Sequence, residues 1–190
     1  MKRLSIIALA CFMTAFLITG CHEKAKNEAV AHTDSIGVAD TVADSTIYGV
    51  CGEGTAMHTL ELITDAGDSL EYMIAEDEDG VQDIKGGLLV GDRMAVIEGP
   101  TVDGDRMAKK VINLTTLLGK WTSIDKNFEI MEGGVVKSKL KVENNPWTSW
   151  KILNGQLVMN RDTFDICVLG SDSLYLENKN GIFTYKRIKN

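Results

Sequence analysis

The chain has 190 residues, 44% of them hydrophobic, with 20 Lys and Arg against 27 Asp and Glu for a formal charge of −7. An acidic chain of this kind excludes nucleic-acid binding through a basic surface. It also contains no G-x-S-x-G elbow, no H-E-x-x-H pair and no phosphate-binding loop, so the usual hydrolase, zinc-protease and nucleotide signatures are missing.

The N-terminus opens with Lys2 and Arg3, runs through apolar residues from Leu4 to Ile18, and ends on small residues before Cys21. A positive region, an apolar region and a small-residue cleavage site in that order form a secretory signal, and the apolar run is shorter than the roughly 20 residues a membrane span needs. Leu17-Ile18-Thr19-Gly20-Cys21 resembles the lipoprotein signal of bacteria. The resemblance implies removal of residues 1–20 and lipidation of Cys21, with a diacylglycerol on its sulfur and an acyl chain on its amine. The membrane is then a partner through several acyl chains, which hold far better than one, because each buried methylene contributes ~0.8 kcal/mol. The implied location is the bacterial cell envelope, and His22 in place of Asp after the anchor points to the outer membrane. The mature chain would carry 18 Lys and Arg against 27 Asp and Glu, a balance of −9.

Residues 21–45 read as a disordered linker. From His22 to Ser45 there is no aromatic residue, no leucine and no sustained periodicity, and such a composition does not bury enough surface to order itself. Its reach is about 25 to 30 Å, enough to lift a domain off a bilayer. Each linker aspartate is followed by a hydroxyl residue: Asp34-Ser35-Ile36, Asp40-Thr41-Val42 and Asp44-Ser45-Thr46. These triplets are similar to the acceptor motif for O-glycosylation in Bacteroides-type bacteria, which implies glycans on Ser35, Thr41 and Ser45. A linker rich in Ser, Thr and Asp also produces such triplets by composition alone.

From Thr46 the pattern becomes short alternating runs divided by Gly and Asp, the signature of strands and tight turns. Strands are expected near 46–52, 57–64, 69–75, 92–98 and 105–113, with Leu60, Leu62, Leu70, Tyr72 and Ile74 facing a core and a hairpin turn at Asp65-Ala66-Gly67-Asp68. Five strands with the longest connection between the third and fourth suit a small OB-like barrel over residues 46–118. The acidic run Glu76 to Gly80 fails as a calcium loop, because Ala75 and Gly86 stand at the first and closing ligand positions. His58 has no cysteine or carboxylate at ligand spacing along the chain, so no metal site is expected.

A second β-unit, residues 119–190, opens at Gly119-Lys120-Trp121. Up to eight strands are expected near 120–124, 127–131, 135–142, 147–153, 156–160, 164–169, 174–177 and 182–188, with turns at Gly133-Gly134, Asn154-Gly155, Gly170-Ser171-Asp172 and Asn180-Gly181. Alternation turns Val136, Leu140, Val142, Trp150, Ile152, Leu157, Met159, Phe164, Ile166, Val168, Leu174 and Leu176 inward, and Lys137, Lys139 and Lys141 outward. Sequential hairpins without helices make an up-and-down meander, and closure into a barrel removes its edges. The fold class is therefore all-β, with two small antiparallel barrels after the signal and linker. Residues 46–118 carry a balance of −9 and residues 119–190 one of +3, so the two are expected to attract each other. Of the cysteines in the folded part, Cys51 and Cys167 either pair as a disulfide or stay as two separate, small buried thiols.

Gly119-Lys120-Trp121 and the terminal Tyr185-Lys186-Arg187 resemble the Gly-x-Trp and closing arginine of lipocalins. The resemblance implies that Arg187 stacks across Trp121 and closes one barrel end, a cation–π contact of ~0.5 to 2 kcal/mol. Trp147 to Leu157, and Asp165-Ile166 through Leu174-Tyr175-Leu176, resemble the shortened lipocalin-like domain of Bacteroides-type envelope lipoproteins. Met57-His58-Thr59-Leu60 through Gly91-Asp92 is similar to the small β-domain that precedes it in some of them. Two functions follow as expectations. One is a non-enzymatic structural or interaction module that meets an envelope protein. The other is carriage of a small apolar ligand in the second barrel. No catalytic residue and no cofactor is expected, since Cys51 and His58 lack a third group to orient them.

Overall fold

A computed structural model describes residues 43–139 and 145–189. The signal, most of the linker, Cys21, Ser35, Thr41, Leu140, Lys141 and Val142 lie outside the described residues. The chain from Val42 onward forms one compact unit, and within it every described element of length is a strand.

The first barrel holds β1 (Ile47–Cys51), β2 (Thr59–Thr64), β3 (Ser69–Ile74), β4 (Ile84–Lys85), β5 (Arg93–Glu98) and β6 (Met107–Asn113). β1 pairs antiparallel with β2 and β5, β2 with β3, and β5 with β6, while β3 runs parallel to β6 and closes the ring. Five of these strands were legible from alternation. β4 was not, because two residues parallel to the far end of β6 leave no periodicity to read. Leu60, Leu62, Tyr72 and Ile74 are buried in this core with Met94, Val96 and Val111, and Leu70 packs at its margin.

A single helical turn, α1 (Leu114–Leu117), leads into the second barrel: β7 (Gly119–Thr122), β8 (Asn127–Met131), β9 (Val135–Ser138), β10 (Trp150–Leu153), β11 (Gln156–Met159), β12 (Asp162–Leu169), β13 (Ser173–Asn178) and β14 (Gly181–Arg187). Each strand pairs antiparallel with its neighbour in sequence, except that only a single bridge, Val135 to Ser149, joins β9 to the approach of β10. β14 returns to β7 through Lys186 and Arg187. The result is a nearly closed eight-stranded meander, as the spacing of the turns implied.

The inward set is largely as expected, with two differences. Val168 is 40% exposed and Leu169 is buried in its place, because the register between β12 and β13 slips between Ile166 and Val168. A bulge adds one residue to a strand and so reverses the facing of everything beyond it. Trp150 is only half-buried, its indole N–H donating to the Met131 carbonyl at 2.7 Å. Lys137 and Lys139 face outward, and Lys139 pairs with Glu129 at 2.9 Å.

The joint between the barrels is apolar rather than electrostatic. Ala95 and Ile112, on the outer face of β5 and β6, belong to the same buried cluster as Leu114, Leu117, Trp121 and the interior of the second barrel. Ion pairs between described residues stay within one barrel or the other. The polar contacts across the joint include directed hydrogen bonds from Lys85 Nζ to the Cys167 carbonyl at 3.1 Å, from the Tyr48 hydroxyl to the Ile152 carbonyl at 3.0 Å and from Asn154 N to Thr46 Oγ1 at 3.1 Å. Asn113, fully buried, anchors the crossing. Its Oδ1 caps α1 by accepting from Thr116 N at 2.8 Å, and its Nδ2 donates to Gly87 O and Asp92 Oδ2.

All three tryptophans lie in the second barrel, so they report a defect placed in the first only if the two unfold together. Ile112→Ala is expected to lower the stability read by tryptophan fluorescence in urea by about 2 to 4 kcal/mol, as a single transition. A tryptophan transition that does not move would separate the barrels.

Candidate functional site

The two ends of the second barrel differ. The end facing the first barrel is closed around Arg187. Its guanidinium lies 4.1 Å from the Trp121 ring centroid, and each nitrogen finds a main-chain carbonyl: Nη1 donates to Leu118 O at 2.6 Å, Nη2 to Thr116 O and Nε to Ser171 O. One side chain thus ties β14 to the end of α1 and to the β12–β13 turn. Burial pushes the Arg187 pKa down, which Asp172 partly offsets, but a guanidinium remains charged in any protein setting. Trp121 is held from the other side, its indole N–H donating to Leu117 O at 3.0 Å. Gly119 makes room. Its φ is +125°, and a Cβ there would stand 2.5 Å from Arg187 Nη1. The structure therefore brings Trp121 and Arg187 together and explains why a glycine stands two residues before the tryptophan.

Among the described residues, the opposite end is open. Trp147 enters it from the segment before β10 and is positioned by Asn160, whose Oδ1 accepts from Thr148 N and Ser149 N and whose Nδ2 donates to Pro146 O. The Trp147 ring meets Phe128, Phe164 and Tyr185 edge-on at centroid distances of 5.1, 5.7 and 6.5 Å, and Phe183 continues the cluster from Phe164 at 5.9 Å. These rings share one buried cluster with Trp121, so the described residues leave no deep calyx through the barrel.

A cleft of about 760 Å³ does open at the mouth, between the β7–β8 turn and the first half of β14. Its floor is Trp147, Phe164 and Phe183, and its rim includes Ile124, Lys126 and Ile182. Ile124 is fully exposed and Ile182 is 62% exposed. Lys126 Nζ sits 4.1 Å over the Trp147 ring, and Asp162 accepts the Trp147 indole N–H at 3.0 Å. Alternation named Phe164 as core but did not reveal the cleft, because nothing in the sequence says that β7 ends opposite Lys186 while β14 reaches back to Gly181. The exposed aliphatic residue of the turn Ser123-Ile124-Asp125-Lys126 was the available signal.

The remaining sequence candidates stand apart from both ends. Ser45 is exposed, yet it is not free linker: its N–H and hydroxyl both donate to Asn154 Oδ1 at 2.8 Å, and Asn154 Nδ2 donates to Ala43 O. Ala43 and Ser45, expected in the linker, are thus strapped to the β10–β11 turn. Cys51 and Cys167 are unpaired; Cys51 is buried in the first barrel as expected, whereas Cys167 is only half-buried, because the bulge in its strand leaves it beside Glu177 at the surface. His58 meets Gln82 Nε2 at 2.9 Å and Glu76 Oε1 at 3.3 Å on an exposed surface. Asp77 accepts from Asp79 N and Val81 N, folding the acidic loop on itself, and among the described residues no group of three His, Cys, Asp or Glu could hold a metal ion.

Comparison with known proteins finds no matching family model, no matching curated protein and no matching solved structure.

Two outcomes follow. Arg187→Lys is expected to destabilise the chain nearly as much as Arg187→Ala, by about 2 to 4 kcal/mol in chemical denaturation, because an ammonium reaches one carbonyl where the guanidinium reaches three. Burial, followed by the hydrogen bond to Glu177, raises the Cys167 thiol pKa, so thiol titration of the native protein at pH 8 is expected to be slow at Cys167. Cys51 should react only after unfolding, and a non-reducing gel should show no intramolecular crosslink.

Proposed function

We infer that this chain is a lipid-anchored protein of the bacterial cell envelope, held to the membrane through Cys21, and that its paired barrels form a non-enzymatic interaction module. The ring in which β3 runs parallel to β6 supports the OB-like reading of the first barrel. The eight-stranded meander, closed by Arg187 over Trp121, supports the lipocalin-like reading of the second.

The observation that carries the interaction reading is the contrast between the barrel's ends. One end is locked against the first barrel and receives the strap at Asn154. The other exposes Ile124 and Ile182 beside an aromatic floor. Exposed apolar residues around a cleft mark a contact surface, and the titratable neighbours Lys126 and Asp162 are engaged with Trp147 rather than poised for proton transfer. A second reading, carriage of a small apolar molecule, is favoured by the volume and aromatic lining of the same cleft, although the packed interior leaves such a molecule at the mouth.

Cys21→Ser is expected to abolish incorporation of labelled palmitate and to move the protein from the detergent to the aqueous phase on Triton X-114 partitioning. A photoreactive side chain in place of Ile124, used in intact cells, should yield a discrete higher-mass protein adduct. No adduct, together with a bound small molecule in the native mass spectrum of membrane-purified protein, would replace the interaction reading with the carrier one.

A further inference from the structure

Among the described residues, the wall of the second barrel has a gap where β14 runs on past the end of β7. β7 pairs with β14 only at Thr122 to Lys186 and Trp121 to Arg187, and then turns away at Ser123, while β14 continues to Gly181. The direction of the main-chain groups along β14 can be read from its hydrogen bonds. Ile188 N donates to Lys120 O on the β7 side, and Arg187 N donates to Asp172 O on the β13 side. Antiparallel pairing alternates these directions residue by residue. Thr184 and Ile182 therefore aim their N–H and C=O groups into the gap, and no described strand stands opposite them.

Natural sheets protect such an edge with lysine, proline, a bulge or a covering segment. Ile182-Phe183-Thr184 carries none of the first three, and its residue types are strong strand formers. The floor beside it is apolar and the rim is cationic. Lys126 and Lys186 line the cleft, and Lys179 and Arg161 occupy turns that border it, against Asp125 and Asp162. Asp162 and Lys126 are both already engaged with Trp147, which leaves Lys186, Lys179 and Arg161 against Asp125.

We propose that the gap beside Ile182 and Thr184 is a β-augmentation site, which takes an extended, acid-flanked segment of a partner protein as an added strand on β14. The main-chain groups of Ile182 and Thr184 supply the register. Trp147, Phe164 and Phe183 receive an apolar side chain from alternate positions of the segment, and the cationic rim selects acidic flanks. The stretch of β14 from Ile182 to Thr184, which no described strand pairs on this side, has room for a segment of about three residues at ~3.3 Å each. This proposal rests on the interaction reading above and names the class of partner.

The test uses the full chain in detergent and two blocked pentapeptides, EVTVE and KVTVK. EVTVE is expected to slow amide exchange at Ile182 and Thr184 and to bind about tenfold more tightly than KVTVK at low salt. Thr184→Pro removes the amide facing the gap and leaves the ladder to β13, so it should weaken EVTVE binding about tenfold, whereas Thr184→Val should not. EVTVE carrying N-methyl groups on every amide should fail to bind the unaltered protein, which tests the strand-pairing step without relying on a folded Thr184→Pro variant. Equal binding of the two peptides, binding that survives N-methylation, or no peptide binding would overturn the proposal. So would protection of Thr184 that grows with protein concentration alone, since the occupant would then be a second copy of this chain. The adduct formed from position 124 decides the broader interaction reading separately, because it requires neither a strand nor an acid.

Discussion

The guanidinium of Arg187 is the constraint on which the rest of the folded unit depends. It stands where four pieces of chain converge: the end of α1, the start of β7, the β12–β13 turn and the last strand. The carbonyls at the end of a helical turn have no partner inside it, and a cation there satisfies them with the favourable sign of the local dipole. The indole face beneath Arg187 supplies a surface that a flat, weakly hydrated cation prefers to water. Gly119 follows as a steric consequence, since any side chain there would occupy the space of Nη1. Closure of the meander, the path into it from the first barrel and the identity of two flanking residues thus share one cause.

That same end joins the barrels, and the joint explains an oddity of composition. Met94-Ala95-Val96-Ile97 and Val111-Ile112 are continuous apolar runs rather than alternating ones. One parity fills the first barrel, with Met94, Val96 and Val111, and the other packs toward the second, with Ala95 and Ile112. Strands buried on both faces read this way wherever they occur. Gly86 marks how closely the parts approach: at a φ of +92°, a Cβ there would come within about 3 Å of Asn113, Thr116 and Leu169 at once. The opposite net charges of the two halves therefore accompany a joint that apolar burial and Asn113 make. Charges on the far surfaces are screened beyond a Debye length of ~8 to 10 Å.

The strands were legible because alternation and turn chemistry agreed: Asp65 to Asp68, Asn154-Gly155 and Asn180-Gly181 each sit where the chain reverses. The pair Trp121 and Arg187 was legible from a resemblance, and its reason is now physical. What stayed hidden depends on contacts distant in sequence. The bulge at Cys167 exchanges Val168 for Leu169, and no local pattern records a missing partner across a ladder. Ser45 belongs to the folded unit only because Asn154, 109 positions away, bonds to it. The cleft arises from a mismatch of strand lengths, β7 with four residues beside β14 with seven, which composition does not encode.

That mismatch gives the second barrel its direction. A meander whose strands were all of equal length would close completely and satisfy every main-chain group within the wall. Here closure is complete only near Arg187, where a break would expose the core shared with the first barrel. At the mouth the interior is sealed by rings instead of by strands. Trp147, Phe128, Phe164 and Tyr185 meet edge-on, so the wall can be left open beside β14 without flooding the core. Aromatic packing at the mouth is therefore what permits an unpaired edge to persist on a stable barrel. The strap at Asn154 ties Ala43 and Ser45 to the opposite end.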